Sequence, residues 1–511
     1  MKKRMIRTRR ARYGGMTVLL TVLLIAAIVL LNVLVSTLAK RYSWYTPMIG
    51  KADYQVTETC YTLLGSVLQS NNEKVRIIFC DTAENVQTSS TTSYVYDTAT
   101  QLAARFPDRI AIECHNIWLN PDSVRAYTTT FDPATAENVK TTLKSTSVII
   151  AGEDYYRVYD HSEFFVFEGG DTSKLWAYNG EKKLAAGILH ALDTDAPIAC
   201  LTNNHGEVFY DYEMLYLLDD AGYSLRYIDL YKDPIPEGCK LIISYNPNSD
   251  LTVSDGVSAI SEIDILNTFL ATSGNSFLLF LEDGTPALPN FESFLSEWGV
   301  ETCYATTANG AEYRYMVQDS SQSLTSDGYT IYGEAAKTGA AGDLLQGLTR
   351  KTVFKNATAL RAANGFVNQG NGSYQKDDRT LYGLYTTGKQ AVAWANGKPV
   401  DAASSMLFTL TEQTNSDAGK SWVAVCASVD FASEDFLQSA VYGNTDTMMR
   451  LFSGLGKTNT PQGLTLKPFE SVTISSVTTA QMWRWTLILA LIPAVATVAL
   501  GVLILVRRRR A

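Results

Sequence analysis

The residues best suited to chemistry are Asn204, His205 and Glu207, in the turn Asn203-Asn204-His205-Gly206-Glu207 directly after the apolar run Ile198 to Leu201. An imidazole and a carboxylate two positions apart can share a proton or hold a polar ligand. Turns at the carboxyl ends of parallel strands are where doubly wound sheets take ligands. Asn246 and Asp250, in a turn after the run Leu241 to Ser244, occupy an equivalent place, as does Asp283 after Phe277 to Leu281. These six residues are the candidate ligand-binding set. A plainer role for the first turn is helix capping, with His205 capping the next helix and Glu207 at its positive end, and this is the role expected.

Other motifs fail on context. Gly454-Leu455-Gly456-Lys457-Thr458 resembles the end of a phosphate-binding loop, but Leu451 stands at the first glycine position and Asn459-Thr460-Pro461 is a poor helix start. Lys337-Thr338-Gly339 precedes Ser373-Tyr374-Gln375-Lys376, the reverse of the penicillin-binding order. The histidines are only His115, His161, His190 and His205, too few for a multi-histidine metal site, so neither metal nor cofactor is expected. The seven cysteines are widely spaced without a CxxC pair, and Cys80, Cys200 and Cys426 fall in or at the ends of apolar runs as small buried hydrophobes.

The elements that must position these residues alternate in type. Glu58 to Gln69 has helical spacing, Val75 to Cys80 reads as a strand, Ser93 to Phe106 as a helix, and Ile110 to Ile117 as a strand. Val148 to Ala151 and Tyr155 to Val158 read as a hairpin. A helix over Glu181 to Leu192 leads to the strand Ile198 to Leu201. After it come a helix near Asp211 to Ala221, strands at Ser224 to Ile228 and Leu241 to Ser244, a helix Ser258 to Ala271, and a strand Phe277 to Leu281. Three successive βα units predict an α/β fold with a doubly wound, mostly parallel sheet. Beyond Gly299 the pattern weakens, then returns as strands at Ser404 to Leu410 and Trp422 to Cys426 and a helix near Asn444 to Leu455.

Both ends carry apolar runs. Residues 16–39 and 485–506 are long enough to cross a hydrocarbon core of about 30 Å, and basic residues flank both outer sides (Lys2, Lys3, Arg4, Arg7, Arg9, Arg10 and Arg12; Arg507 to Arg510). The expectation is a two-pass membrane protein with basic cytoplasmic tails at 1–15 and 507–511 and its bulk extracytoplasmic. Of 43 basic residues these tails hold 11, leaving 32 against 52 acidic ones between them. Such an acidic segment is a poor partner for nucleic acid. Its length predicts two or three domains, and the element pattern divides it into two α/β domains, 52–180 and 181–470, the second with irregular insertions at 301–400.

The ordered features resemble the gliding-motility-type ABC transporter auxiliary family. The similarity runs through Asn204-His205-Gly206-Glu207, Ala221 to Tyr223, Asp229-Leu230 with Ile235-Pro236, Asn246-Pro247 to Asp250, the helix and glycine before Phe277 to Leu281, and Gly443-Asn444-Thr445-Asp446. Asn204 stands where that family more usually has glycine. The resemblance implies a central domain like a class I glutamine amidotransferase, and a non-enzymatic accessory subunit whose partners are an ABC ATPase and a polytopic ABC-2-type permease. An amidotransferase needs a cysteine on a sharp strand-to-helix turn with a histidine base. Here Glu282-Asp283-Gly284-Thr285 follows the strand instead. No catalytic residue is assigned. The competing expectation is a cell-envelope hydrolase working around His205 and Glu207.

Overall fold

A short, mainly apolar strand, β1 (Val75–Phe79), begins the first sheet of a computed structural model. The structure describes residues 54–469 apart from 169–170, 172–173, 194–195, 210–211, 255–259, 283, 285, 307–311, 396–397 and 458, together with 30, 506 and 507. Before β1 lies α1 (Glu58–Ser70), which starts where Thr57 accepts a hydrogen bond from the Cys60 amide and buries Cys60, Leu64 and Leu68 at one-turn spacing. After it, α2 (Thr92–Arg105) buries Val95, Ala99 and Leu102 in the same way. Then follow β2 (Ile110–Cys114), β3 (Val148–Ala151) and β4 (Tyr156–Tyr159). The sheet order is β2-β1-β3-β4, with β1 and β2 parallel and the β3–β4 hairpin antiparallel. The helix α3 (Gly180–Leu192) lies so close to this sheet that a Cβ at Gly187 would stand 2.4 Å from Ile150 Cδ1.

The second sheet begins with β5 (Ile198–Thr202), α4 (Glu213–Asp220), β6 (Ser224–Ile228), β7 (Cys239–Tyr245), α5 (Glu262–Leu270), β8 (Ser276–Phe280) and α6 (Pro289–Glu297). Three late strands join it: β9 (Arg379–Thr386), β10 (Met406–Thr414) and β11 (Lys420–Cys426). The main path runs β6-β5-β7-β8-β11-β10-β9 and ends in short strands at Ser373–Lys376 and Val367–Asn368. Alternation along each strand divides the core in two. Ala199, Leu201, Leu241 and Ile243 face α4 and the late helix α7 (Asn444–Gly454), whereas Cys200, Ile242, Phe277 and Leu279 face α5 and α6. Helices cover both faces, as a doubly wound sheet requires.

Two expectations are corrected. The large sheet is mixed rather than mostly parallel: β6, β5, β7, β8 and β11 run parallel, but β10 and β9 pair antiparallel. The β10–β11 hairpin feeds back beside β8, and an apolar run does not reveal which way its neighbour points. The flanking membrane helices are not supported either. Among the described residues no helix is long and apolar enough to cross a membrane. The longest, α2, has 14 residues, about 21 Å at 1.5 Å per residue, well short of a hydrocarbon core of about 30 Å. The runs at 16–39 and 485–506 lie outside the described residues except for Leu30 and Val506. The two-pass localisation with cytoplasmic tails, which rested on those helices, falls with them.

Residues Met1–Pro468 form one compact unit and Phe469–Ala511 another, the latter described only at Phe469, Val506 and Arg507.

Candidate functional site

The chain leaves β5, crosses through α4 to β6 on one side, then returns to place β7 on the other side of β5. The carboxyl ends of β5 and β7 therefore flank a topological switch point, the crevice where open α/β sheets take ligands. The Asn204–Glu207 turn follows β5, and the Asn246–Asp250 loop follows β7.

The two loops are stitched together by backbone. The amides of Asn248 and Ser249 donate to the His205 carbonyl at 2.9 and 3.1 Å. Gly206 has φ +78°, and a Cβ there would stand 2.1 Å from Asn248 Oδ1, so only glycine fits this approach.

Inside the stitch, the His205 side chain is buried between two carboxylates. Its Nε2 lies 3.1 Å from Glu262 Oε2 and its Nδ1 3.7 Å from Glu207 Oε1. Glu207 also receives the His205 amide at 2.7 Å and the Thr202 hydroxyl at 2.5 Å, which folds the turn back on itself. Glu262, the first residue of α5, is buried; it accepts from Asn204 Nδ2 at 2.9 Å and from the Thr252 amide and hydroxyl at 2.9 and 3.0 Å. Burial works against a charged imidazole, but the hydrogen bond to Glu262 and the charges of Glu262 and the nearby Glu207 outweigh it, and the His205 pKa rises to about 9. Burial likewise opposes the Glu262 carboxylate, yet His205, Thr252 and Asn204 bring it down to about 2. Glu207 is lowered below the ordinary glutamate value, its bonds to His205 and Thr202 overcoming burial. The arrangement is an imidazolium clamped by two carboxylates.

The helix-capping role expected for the turn is not what the structure shows. The next helix starts at Glu213 with Tyr212 at its cap position, and His205 and Glu207 bond within the turn and to α5 instead. Of the six candidate residues, Asn204, His205 and Glu207 come together. Asn246, at φ +56°, donates from Nδ2 to Glu282 at 2.7 Å. Asp250 caps α6, accepting from the amides of Asn290 and Phe291 at 2.9 and 3.0 Å. Asp283 lies outside the described residues. Sequence reasoning missed Glu262, the residue that completes the site. Its only local signal is Ser261, a helix-start residue whose side chain accepts from the Asp264 amide.

Cys200 does not pair with His205. It points to the α5–α6 side of the sheet, and the hydrogen bond its thiol donates to the neighbouring Cys239, together with burial, raises its pKa far above that of an ordinary thiol. Among the described residues no cluster of metal-ligating side chains is found.

A second buried charged cluster links the two sheets. Arg157 on β4 pairs with Asp219 of α4, and Asp220 takes Lys183 at 2.7 Å and Lys182 at 3.4 Å. Burial raises Asp219 to about 6 even beside Arg157, while Asp220 and Glu163 hold the buried Lys183 charged against the cost of burial. These lysines begin α3, so the cluster clasps the helix of one sheet to that of the other.

No family model matches the chain, and no curated protein matches it. Among solved structures, the mmIFT52 N-terminal domain is similar at 15% identity with a TM-score of 0.35, covering 50% of this chain and 96% of that one. PurLQS from Thermotoga maritima is similar at 13% identity with a TM-score of 0.26, covering 51% of this chain and 97% of that one. Likeness at this level carries no argument about function.

Proposed function

We propose that this chain works by binding, as a non-enzymatic accessory subunit of an ABC-2-type transport system, with an ABC ATPase and a polytopic ABC-2-type permease as its partners. The observation that supports the non-enzymatic half is the switch point filled by its own charged side chains. A general base needs a nitrogen free to accept a proton. The His205 pKa is raised to about 9, which favours the protonated ring at neutral pH, and the ring lies between Glu207 and Glu262. The hydrolase alternative asks the same residue to be a base, and this geometry disfavours it. The transport half rests on the ordered motifs from Asn204-His205-Gly206-Glu207 to Gly443-Asn444-Thr445-Asp446.

The test is co-purification. The tagged full chain, recovered from a detergent extract of its native cells, is expected to bring down an ATPase and a multi-span permease in fixed ratio. Recovery of the chain without either one overturns the transport assignment.

A further inference from the structure

Among the described residues, β2 pairs with β1 and with no other strand, so it forms an open edge of the first sheet. The Val75 amide donates to the Arg109 carbonyl at 2.8 Å and the His115 amide to the Phe79 carbonyl at 2.9 Å. In this parallel register Arg109, Ala111, Glu113 and His115 bond toward β1, and the alternate residues Ile110, Ile112 and Cys114 turn their backbone groups outward. The Phe106 carbonyl takes the Ile110 amide at 2.9 Å, which leaves the Ile110 carbonyl and both groups of Ile112 and Cys114 along the edge. Such a row is a template for a further strand.

The two ends of this edge are unlike. Past its carboxyl end Trp118 and Leu119 are 79% and 83% exposed, in a turn fixed by Asn116 Oδ1, which accepts from their amides at 3.0 and 3.1 Å. Before its amino end lies an open cleft lined by Lys74, Arg105, Phe106, Pro107, Asp108 and Arg109. The ends also differ in charge. At the amino end Lys74, Arg105 and Arg109 outnumber Glu73 and Asp108, whereas at the carboxyl end Asp81, Glu84 and Asp122 outnumber Arg125. Glu113 is countered in place by His115 at 2.8 Å and Arg76 at 3.9 Å.

We propose that β2 pairs antiparallel with β2 of a second copy of this chain, making a twofold dimer whose two sheets become one. With the axis at Ile112, the two Ile112 residues exchange both backbone bonds, and each Cys114 amide meets the Ile110 carbonyl of the second copy. Glu113 falls opposite Ala111, so no like charges face each other directly. The same symmetry brings the acidic end of each strand, with its Trp118, to the basic end of the other, with its Phe106–Pro107 cleft. A strand pair alone covers little surface, and the preset Trp118 adds the aromatic anchor that a stable interface needs. This match of one end to the other selects a second copy over an unrelated strand. The inference is independent of the transport reading, since it concerns the chain alone.

Light scattering of the purified full chain in detergent, over a dilution series, is expected to give the mass of a dimer. Amide exchange at Ile112 and Cys114 is expected to be slow in the dimer and fast in the monomer. Trp118→Ser alters a largely exposed side chain and is expected to weaken the dimer about tenfold or more. Ile112→Pro removes an amide that points away from β1, a place where an edge strand tolerates proline, and is expected to abolish the dimer with the thermal melt retained. A monomer at every concentration, or a larger assembly, overturns the proposal. So does a dimer that either folded variant leaves unchanged. Slow exchange at Ile112 and Cys114 that persists in the monomer also overturns it, because another segment of the chain then covers the edge. Where Ile112→Pro loses its melt, Trp118→Ser and exchange on the unaltered chain decide.

Discussion

His205 Nε2 lies 3.1 Å from Glu262 Oε2, and this contact ties the turn after β5 to the first residue of α5 across the switch point of the large sheet. The contact is buried, with 5% of the His205 side chain and 1% of the Glu262 side chain exposed, so water does little to screen it. Its two partners give the fold a characteristic dependence on pH.

The folded His205 pKa is raised from 6.5 to about 9, so its stabilisation is complete below about pH 6.5 and is lost as pH rises through about 9. The folded Glu262 pKa is depressed from 4.5 to about 2, so its share is complete above about pH 4.5 and is lost as pH falls through about 2. The contribution of this pair is therefore largest between about pH 4.5 and 6.5. Urea unfolding from pH 4 to 9 is expected to show a decline in stability above pH 7 that His205→Gln flattens. An equally steep decline in His205→Gln would show that the imidazolium is not its source.

Removing one partner is costlier than titrating it. Glu262→Gln keeps the shape and leaves His205 with Glu207 at 3.7 Å as its remaining carboxylate. A loss of about 3–5 kcal/mol is expected, the scale for breaking a buried ion pair. The double variant Glu262→Gln, His205→Gln should recover part of that loss, and a double-mutant cycle by denaturant unfolding measures the coupling. Strict additivity would mean that the two side chains do not interact.

The clasp between the sheets is open to the same treatment. Asp220 holds Lys183 at 2.7 Å and Lys182 at 3.4 Å, with each lysine side chain 10% exposed. Asp220→Asn leaves two ammonium groups short of their shared countercharge, and a destabilisation of about 3–5 kcal/mol is expected. Because these groups join α3 to α4, hydrogen exchange should quicken in both helices rather than in α4 alone. Protection lost only in α4 would refute the clasp.

Much of this fold is legible in the sequence because period and punctuation agree. Leu64 and Leu68 mark one face of α1, the continuous apolar run at Phe277 marks a strand buried on both faces, and Gly222 and Gly274 lie just past the ends of α4 and α5. Strand direction is less legible: β10 and β11 read as strands, but nothing local says that β11 runs parallel to β8 while β10 turns against it. The candidate site divides in the same way. Asn204, His205 and Glu207 are near neighbours in one turn, so their types and spacing single them out. Glu262 lies 57 positions from His205, and Asp220 lies 37 from Lys183. Such partners meet only after crossovers of the chain, which local pattern does not encode. For the same reason Asp250, which resembles a ligand group in sequence, proves to be the cap of a distant helix, α6.

Gly206 tests how tightly the switch point is closed. Its φ of +78° disfavours any side chain, and a Cβ would lie 2.1 Å from Asn248 Oδ1. The strain of alanine in that region costs about 1–2 kcal/mol by itself. The clash adds to it by pushing Asn248 away from the Gly206 carbonyl, which its Nδ2 meets at 3.3 Å. Gly206→Ala should therefore lose more than Asn248→Ala. Gly206→Ala in an Asn248→Ala background should cost only the backbone share, since the clashing amide is gone. Thermal unfolding of the three variants separates the two contributions. If Gly206→Ala costs the same with and without Asn248, the side-chain approach plays no part and backbone strain accounts for the whole effect.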